Sequence, residues 1–438
     1  IFNPIQKIVL PLILPMKSAQ TYKTIIQQRM LLALLWPFSA LLISIREFRM
    51  PYAKNLFFFF CVFVGLTFIV SQNGQGADSS RYAQGLMQMH QAQSMSFSDA
   101  IKGLYSDEGK TVDIYEPLLN YVVSRFTGNP HILFLCYALV FGFFYSRNLW
   151  YVFDKTKGQI NTYLIPIILL YALVCPIWLI NGVRMWTALH VFVYGALPFL
   201  LDGNPKKLYW SGASMFFHFS FFIPVVILLS FQFLPKRWVT TYFVFFIVTS
   251  FLKEINIGAI TNAVSGHLPA FLLPRVDSYT NPDYLQARNV ANQSNAFHVD
   301  LANNIAHYFV YVMVIVIWLK GRPFLARHVN LERLFCYSLY SYGVAQILAL
   351  VPSGGRFVTV ANMFMYAFFV LFIHLSIKKI PLIYNTLRYA TPFLFFAIIF
   401  QIWAGSQYFG VNLFIGNPIS AFFINDTTSF MEFVKQVI

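Results

Sequence analysis

Long apolar runs broken by short basic connections set the pattern of this chain. The runs are Met30–Ile45, Asn55–Ser71, His131–Val152, Thr162–Leu179, Met185–Leu201, Thr240–Leu252, Leu301–Leu319, Leu334–Val351, Val358–Ile377 and Tyr389–Gln407. Apolar runs of about 20 residues match the hydrocarbon thickness of a bilayer when they are helical. Lipid offers the backbone no hydrogen bonds, so continuous runs must be helices, and their continuity excludes the alternating pattern of a barrel. Ile5–Met16 is short and interrupted by proline, so it is expected to lie in the membrane interface. No cleavable signal peptide is expected. The chain therefore reads as all-α and polytopic, with about 10–12 membrane segments. Residues 1–29 form an interfacial segment and 30–438 a single membrane domain.

One segment departs from simple alternation. Leu208–Leu234 is apolar throughout, yet basic pairs flank both ends, Lys206-Lys207 and Lys236-Arg237. If both pairs lie on one side, the segment enters and returns as a re-entrant hairpin that turns near His218. Such backbone is tolerated where protein buries it. A single tilted helix is the alternative, and it would reverse every later connection.

Composition agrees with a lipid solvent. Of 438 residues, 58% are hydrophobic and 11% charged, against about 25% charged in soluble domains. The net charge of +15 gathers in short connections: Arg46, Arg49 and Lys54; Lys155 and Lys157; Lys206 and Lys207; Lys236 and Arg237; Lys320 to Arg333; Lys378 to Arg388. Basic short loops face the cytoplasm, so the charge is a topology signal and no nucleic-acid partner is expected. Lys7, Lys17, Lys23 and Arg29 fall outside, or at the interface, in this scheme. The outer face then carries two long loops, 72–116 and 253–300, and the tail from Tyr408. Within the first, Ser96–Tyr105 has the spacing of a short amphipathic helix on the membrane surface.

Ionisable residues at membrane edges carry the candidate chemistry, because they are expensive there and usually functional. Arg184 and Arg356 fall in tight outer turns and Arg275 in the second long outer loop. Guanidinium groups bind phosphate oxygens bidentately, so a lipid diphosphate is a natural ligand for the three. Pairing with loop carboxylates or lipid headgroups is the plainer reading for any one of them. Asp78 and Glu116 bracket the first outer loop and are candidate bases for a hydroxyl proton. Asp113 is one of several further carboxylates in that loop. His218 stands in an apolar context at the expected hairpin tip. Cys61, Cys136, Cys175 and Cys336 read as buried thiols. No nucleotide-binding or metalloprotease motif occurs, and neither a metal nor a cofactor is called for.

The order of short motifs resembles one family. Asp78-Ser79-Ser80-Arg81-Tyr82, Glu116-Pro117, Asn181-Gly182-Val183-Arg184 and Phe217-His218-Phe219-Ser220 look like the EpsG family of polysaccharide polymerases, which is similar to Wzy-type O-antigen and capsule polymerases. Arg275-x-x-x-Tyr279, Arg356 and Asn417-Pro418 extend the match, over roughly residues 30 to 420. Ser79, Leu118-Leu119 and Met185 depart from the family's usual residues, which bears on fine specificity more than on reaction class. The resemblance implies a GT-C-like glycosyltransferase of the inner membrane, with its site at the periplasmic face. Donor and acceptor would be undecaprenyl-diphosphate-linked oligosaccharides. Arg184, Arg275 and Arg356, with Arg81 and Tyr279, would hold the diphosphate. Asp78 or Glu116 would be the base, with Asp78 favoured, and His218 would orient a phosphate or sugar. A chain-length regulator and a flippase are the protein partners such an enzyme would have. A lipid-linked oligosaccharide flippase and an O-antigen ligase remain the alternative functions.

Overall fold

The computed structural model describes residues 19–70, 78–92, 113–156, 158–252, 297–351, 353–424, 426 and 428–437. The amphipathic helix expected at Ser96–Tyr105, the segment Ile5–Met16, Arg275 and Tyr279 lie outside the described residues. The architecture is all-α, and among the described residues the only β feature is an isolated antiparallel bridge between Phe68 and Phe409. The helices are α1 (Ala19–Leu35), α2 (Phe38–Arg46), α3 (Ala53–Leu66), α4 (Asp78–Gln91), α5 (Tyr115–Ser124), α6 (Pro130–Phe153), α7 (Ile165–Leu173), α8 (Val183–Asp202), α9 (Leu208–Phe217), α10 (Phe222–Phe233), α11 (Val239–Ser250), α12 (Phe297–Val316), α13 (Arg322–Leu325), α14 (Val329–Leu348), α15 (Arg356–Ser376), α16 (Pro381–Gly405) and three short C-terminal helices. Among the described residues, five helical stretches are long and apolar enough to cross a membrane: Pro130–Phe153, Thr162–Asp202, Leu301–Leu325, Arg356–Ser376 and Pro381–Tyr408. The protein is a multi-pass membrane protein.

Small residues let the central helices touch. A Cβ at Gly65 of α3 would collide with Ala138 and the Phe134 carbonyl of α6, and one at Gly142 of α6 with Cys61 of α3. Association in lipid relies on such close packing rather than on a hydrophobic force. The buried Phe68, Phe134, Phe141 and Phe192 fill the space around this pair and α8.

Side-chain contacts fix which helix ends lie together. Trp150 Nε1 donates to Phe48 O at 2.8 Å, Lys155 pairs with Asp202 at 2.7 Å, and Arg333 Nε donates to Leu200 O at 2.5 Å. Arg237 pairs with Glu332 at 2.5 Å. The loop basic residues thus collect at one end of the bundle, hereafter the basic end.

The re-entrant hairpin is present. Ser211 Oγ donates to Phe192 O at 3.0 Å and Ser220 Oγ lies 3.7 Å from Met185 Sδ, so α9 runs back along α8 toward Arg184. The helix breaks at His218, whose backbone is extended. After a 3-10 turn over Phe219–Phe221, α10 descends along α14, with Ser230 Oγ 2.9 Å from Tyr340 Oη, and delivers Arg237 to the basic end.

The N-terminal region differs from expectation. Met30–Ile45 is not one span. Trp36-Pro37 separates α1 from α2, because proline cannot continue the helical hydrogen-bond ladder. The two helices fold back on each other: Arg29 pairs with Glu47 at 2.8 Å and the Tyr22 and Tyr52 rings lie 6.2 Å apart. The added reversal carries Lys23 and Arg29 of α1 toward the basic end, in line with the charge pattern, while Lys7 and Lys17 lie outside the described residues.

Candidate functional site

The end of the bundle opposite the basic loops holds a cluster of charges built around Asp113. This residue is 2% exposed and directly precedes α5. Its Oδ2 lies 3.0 Å from Arg184 Nη1 and 2.8 Å from His218 Nδ1. Its Oδ1 accepts from the Phe219 backbone N–H at 2.8 Å. The Ile114 N–H donates to Phe216 O at 3.2 Å, tying the same strand of chain to the end of α9. The break at His218 frees backbone groups that would be costly in lipid. Asp113 satisfies one of them and sets a negative charge at the start of the following helical turn, where the helix dipole favours it. Burial pushes its carboxyl up, but the hydrogen bond and charge of His218, the Phe219 N–H and Arg184 outweigh that and hold it below the usual aspartate range.

Arg184 opens α8 directly after the Asn181-Gly182 turn. Asn181 Oδ1 accepts from the Ser79 N–H at 3.2 Å, and its amide reaches Tyr408 Oη at 3.4 Å. A Cβ at Gly182 would meet the Trp186 ring at 3.0 Å and come within 3.9 Å of Asp78 Oδ2. The Asn-Gly-Val-Arg motif therefore does two things. Asn181 and Gly182 seat the start of α4 against α8, and Arg184 projects among the carboxylates.

Helix α4 supplies Asp78, Arg81 and Tyr82. Spacings of three and four residues put them on one face. Asp78 Oδ1 pairs with Arg81 Nη2 at 2.8 Å on the more exposed side. Tyr82 is buried, and its ring packs edge-on against Tyr137 at 5.9 Å. Burial raises the Tyr82 phenol; Arg184, its hydrogen-bond partner, opposes this, while Asp78 and Glu116 reinforce it. The phenol stays a neutral hydrogen-bond donor.

Glu116, in the first turn of α5, is bound by the Asn120 amide one turn on. Burial raises its carboxyl above the usual glutamate range, against the pull of Arg184, Arg81 and Asn120 and with a further push from ionised Asp113. Two carboxylates three residues apart are thus driven in opposite directions. That is the arrangement in which one stays ionised to hold cations while the other binds a proton more readily than an ordinary carboxylate.

The structure brings together Asp78, Arg81, Glu116, Arg184 and His218 of the residues expected from the sequence. Arg356 does not join them: it opens α15 in an exposed position, with no ion pair among the described residues. Asn417 caps a short C-terminal helix with Ser420. Asp113 and Tyr82 had been given no role. Asp113 lies three residues before Glu116, and an acceptor is needed at any helix break buried in lipid. Tyr82 shares the helix face of Asp78. Those two signals were available. Among the described residues no three His, Cys, Asp or Glu side chains converge as metal ligands.

No curated protein and no solved structure matches this chain. The model of the EpsG family matches residues 56–412, a stretch that contains every residue of the cluster, and the chain belongs to the EpsG family.

Proposed function

We propose that this protein is a polysaccharide polymerase that joins undecaprenyl-diphosphate-linked oligosaccharide repeat units at the periplasmic face of the inner membrane. The observation that carries the reading is the buried carboxylate–arginine cluster of Asp113, Glu116 and Arg184 at the end opposite the basic loops. Basic loops favour the cytoplasm, which argues for the cluster facing outward.

In the proposed reaction a hydroxyl of the acceptor sugar attacks the anomeric carbon of the donor. A new C–O glycosidic bond forms and the bond from the anomeric carbon to the phosphate oxygen breaks. The lipid diphosphate leaves with the bonding electrons. Arg184 and Arg81 supply fixed positive charge for it, and preorganised charge of this kind is worth far more in a water-poor site than in water. Tyr82 adds a neutral donor beside Arg184. The acceptor's proton passes to a carboxylate. Glu116 fits this role better than Asp78, because burial raises its proton affinity above that of an ordinary glutamate, and a stronger base takes a hydroxyl proton more readily. Asp78 is engaged by Arg81 on the exposed rim. Asp113 holds Arg184 and His218 in place and is a positioning residue. Arg356, Arg275 and Tyr279 remain candidates for the diphosphate or the growing chain beyond the cluster.

The direct test is chemical. Purified protein given a lipid-linked repeat unit alone is expected to produce a ladder of chain lengths. Transfer that occurs only onto a lipid A core acceptor would mark a ligase. Movement of the intact unit across a vesicle membrane without a new bond would mark a flippase. Either result would overturn the reading.

A further inference from the structure

A cavity lies at the basic end, away from the carboxylate cluster. It measures about 780 Å³ and is lined by Arg237, Trp238, Thr240, Trp318, Arg322 and Glu332 among others. It forms where the turn between α10 and α11 meets the end of α12. A π-helical turn over Ile317–Gly321 interrupts α12 there, ahead of α13. Such irregular turns inside helices are frequent at functional sites.

We propose that this cavity binds the phosphate headgroup of an anionic phospholipid. The charge balance favours an anion. Arg237 is matched by Glu332 at 2.5 Å, and its other arm donates to the Ala326 carbonyl at 3.1 Å. Arg322 has no carboxylate partner among the described residues and rests over the Trp318 ring at 5.9 Å. The cavity therefore carries one surplus positive charge. Donors are in surplus too. The Trp318 indole N–H is buried without an acceptor among the described residues. Helix α11 begins at this wall with no side-chain cap, so its first backbone N–H groups and the positive end of its dipole face an uncompensated position. A phosphodiester supplies acceptor oxygens and one negative charge to Arg322 and the first N–H groups of α11 together.

The surroundings favour a lipid over a soluble phosphate. Val244 and Val248 of α11 and Val312 and Ile315 of α12 are exposed and lead away from the cavity toward the middle of the bundle. Acyl chains can lie along that ridge while the headgroup occupies the cavity. Trp238 is 60% exposed at the rim, and tryptophan is enriched at the headgroup level of membranes. Basic pockets between membrane helices are a recurrent form of anionic-lipid site. The proposal does not depend on what reaction the carboxylate cluster performs.

Tryptophan fluorescence of the full chain in vesicles provides the test. Phosphatidylglycerol and phosphatidylcholine, each with brominated acyl chains, serve as quenchers. Phosphatidylglycerol is expected to quench beyond phosphatidylcholine at equal mole fraction, and Trp318→Phe should remove most of the excess. Arg322→Gln should weaken the phosphatidylglycerol preference about five-fold, the scale for one basic residue near an anionic surface. Arg322→Lys should retain most of it, which separates lost charge from a folding defect. Lys379→Gln, a basic-end change outside the cavity, should leave it intact. Equal quenching by the two lipids overturns the proposal, as does a preference that survives Arg322→Gln. Abolition of the preference by millimolar inorganic phosphate would reassign the cavity to a soluble anion and overturn the lipid assignment.

Discussion

The two ends of this helical bundle use the same charged residue types for different ends. At the basic end cations outnumber carboxylates, and several of them are paired locally. Lys155 meets Asp202, Arg237 meets Glu332, and Arg29 meets Glu47. Arg333 donates to the carbonyls of Leu200 and Phe199 at the end of α8, where the helix dipole favours a cation. At the other end Asp78, Asp113 and Glu116 face Arg81, Arg184 and His218, and the central Asp113 carboxylate is nearly sealed from solvent. Surface ion pairs contribute little to stability, whereas breaking a buried one is costly. The number of cations therefore marks topology. The buried Asp113 carboxylate marks the candidate site.

Substitutions can break this contrast, and the largest effect is expected at Glu116. Glu116→Gln keeps the size and the Asn120 contact but cannot accept a proton. Polymerisation should fall by about 10²–10⁴-fold, the usual contribution of a positioned base, while the protein stays folded. Asp78→Asn should produce a milder, affinity-type defect. Equal losses in the two variants would remove the preference for Glu116.

Next comes Asp113. Asp113→Ala leaves the half-buried Arg184 and His218 without their shared anion, and loss of one partner of a fully buried pair, an upper bound here, costs about 3–5 kcal/mol. Thermal unfolding should shift down strongly. Because its carboxyl is held below the usual range in the fold, Asp113 contributes stability above the ordinary aspartate pKa. That contribution is lost as pH falls through the lower folded value. The variant should accordingly lack this part of the wild-type acid destabilisation. Wild type and Asp113→Ala should therefore differ most near neutral pH and converge in acid, and a difference that does not shrink as pH falls would contradict the clamp.

A smaller effect is expected from Arg184→Lys. Charge is kept but the planar fork that binds two oxygens is lost, so turnover should drop clearly without disappearing, and Arg184→Ala should drop it nearly to background. Full activity in the alanine variant would mean that the residue serves Asp113 alone. The smallest effect belongs to the basic end. Asp202→Asn removes a half-exposed pair with Lys155 and should change stability by less than about 1 kcal/mol and leave polymerisation unchanged. A loss of activity there would blur the division between the two ends.

Much of this was legible in the chain. The basic pairs around Leu208–Leu234 implied a hairpin turning at His218, since only a reversal keeps both pairs on one side. Arg184 stood out as a cation in a turn too short to be solvated. The N-terminal region was misread because apolar content masked Pro37, and one proline converts an expected span into two helices that reverse. Asp113 was missed for a different reason. Its partners His218 and Arg184 are 105 and 71 positions away, and no local pattern reveals a carboxylate that satisfies the backbone of a distant helix break. Arg356, like Arg184, falls in an outer turn in the sequence pattern, and the structure gives it an exposed position with no ion pair among the described residues.

As the base of the proposed glycosyl transfer, Glu116 should set the acidic limb of the reaction. The pH dependence of ladder formation from a lipid-linked repeat unit, measured side by side for wild type and Glu116→Gln, tests it most directly. A base must be ionised to act, and burial raises the Glu116 carboxyl. Wild-type rate should therefore fall as pH drops through a value above the ordinary glutamate range. The Gln variant should give a residual rate at least about 10²-fold lower with that limb absent. A ladder of wild-type intensity from the variant, or an unchanged acidic limb, would contradict the account.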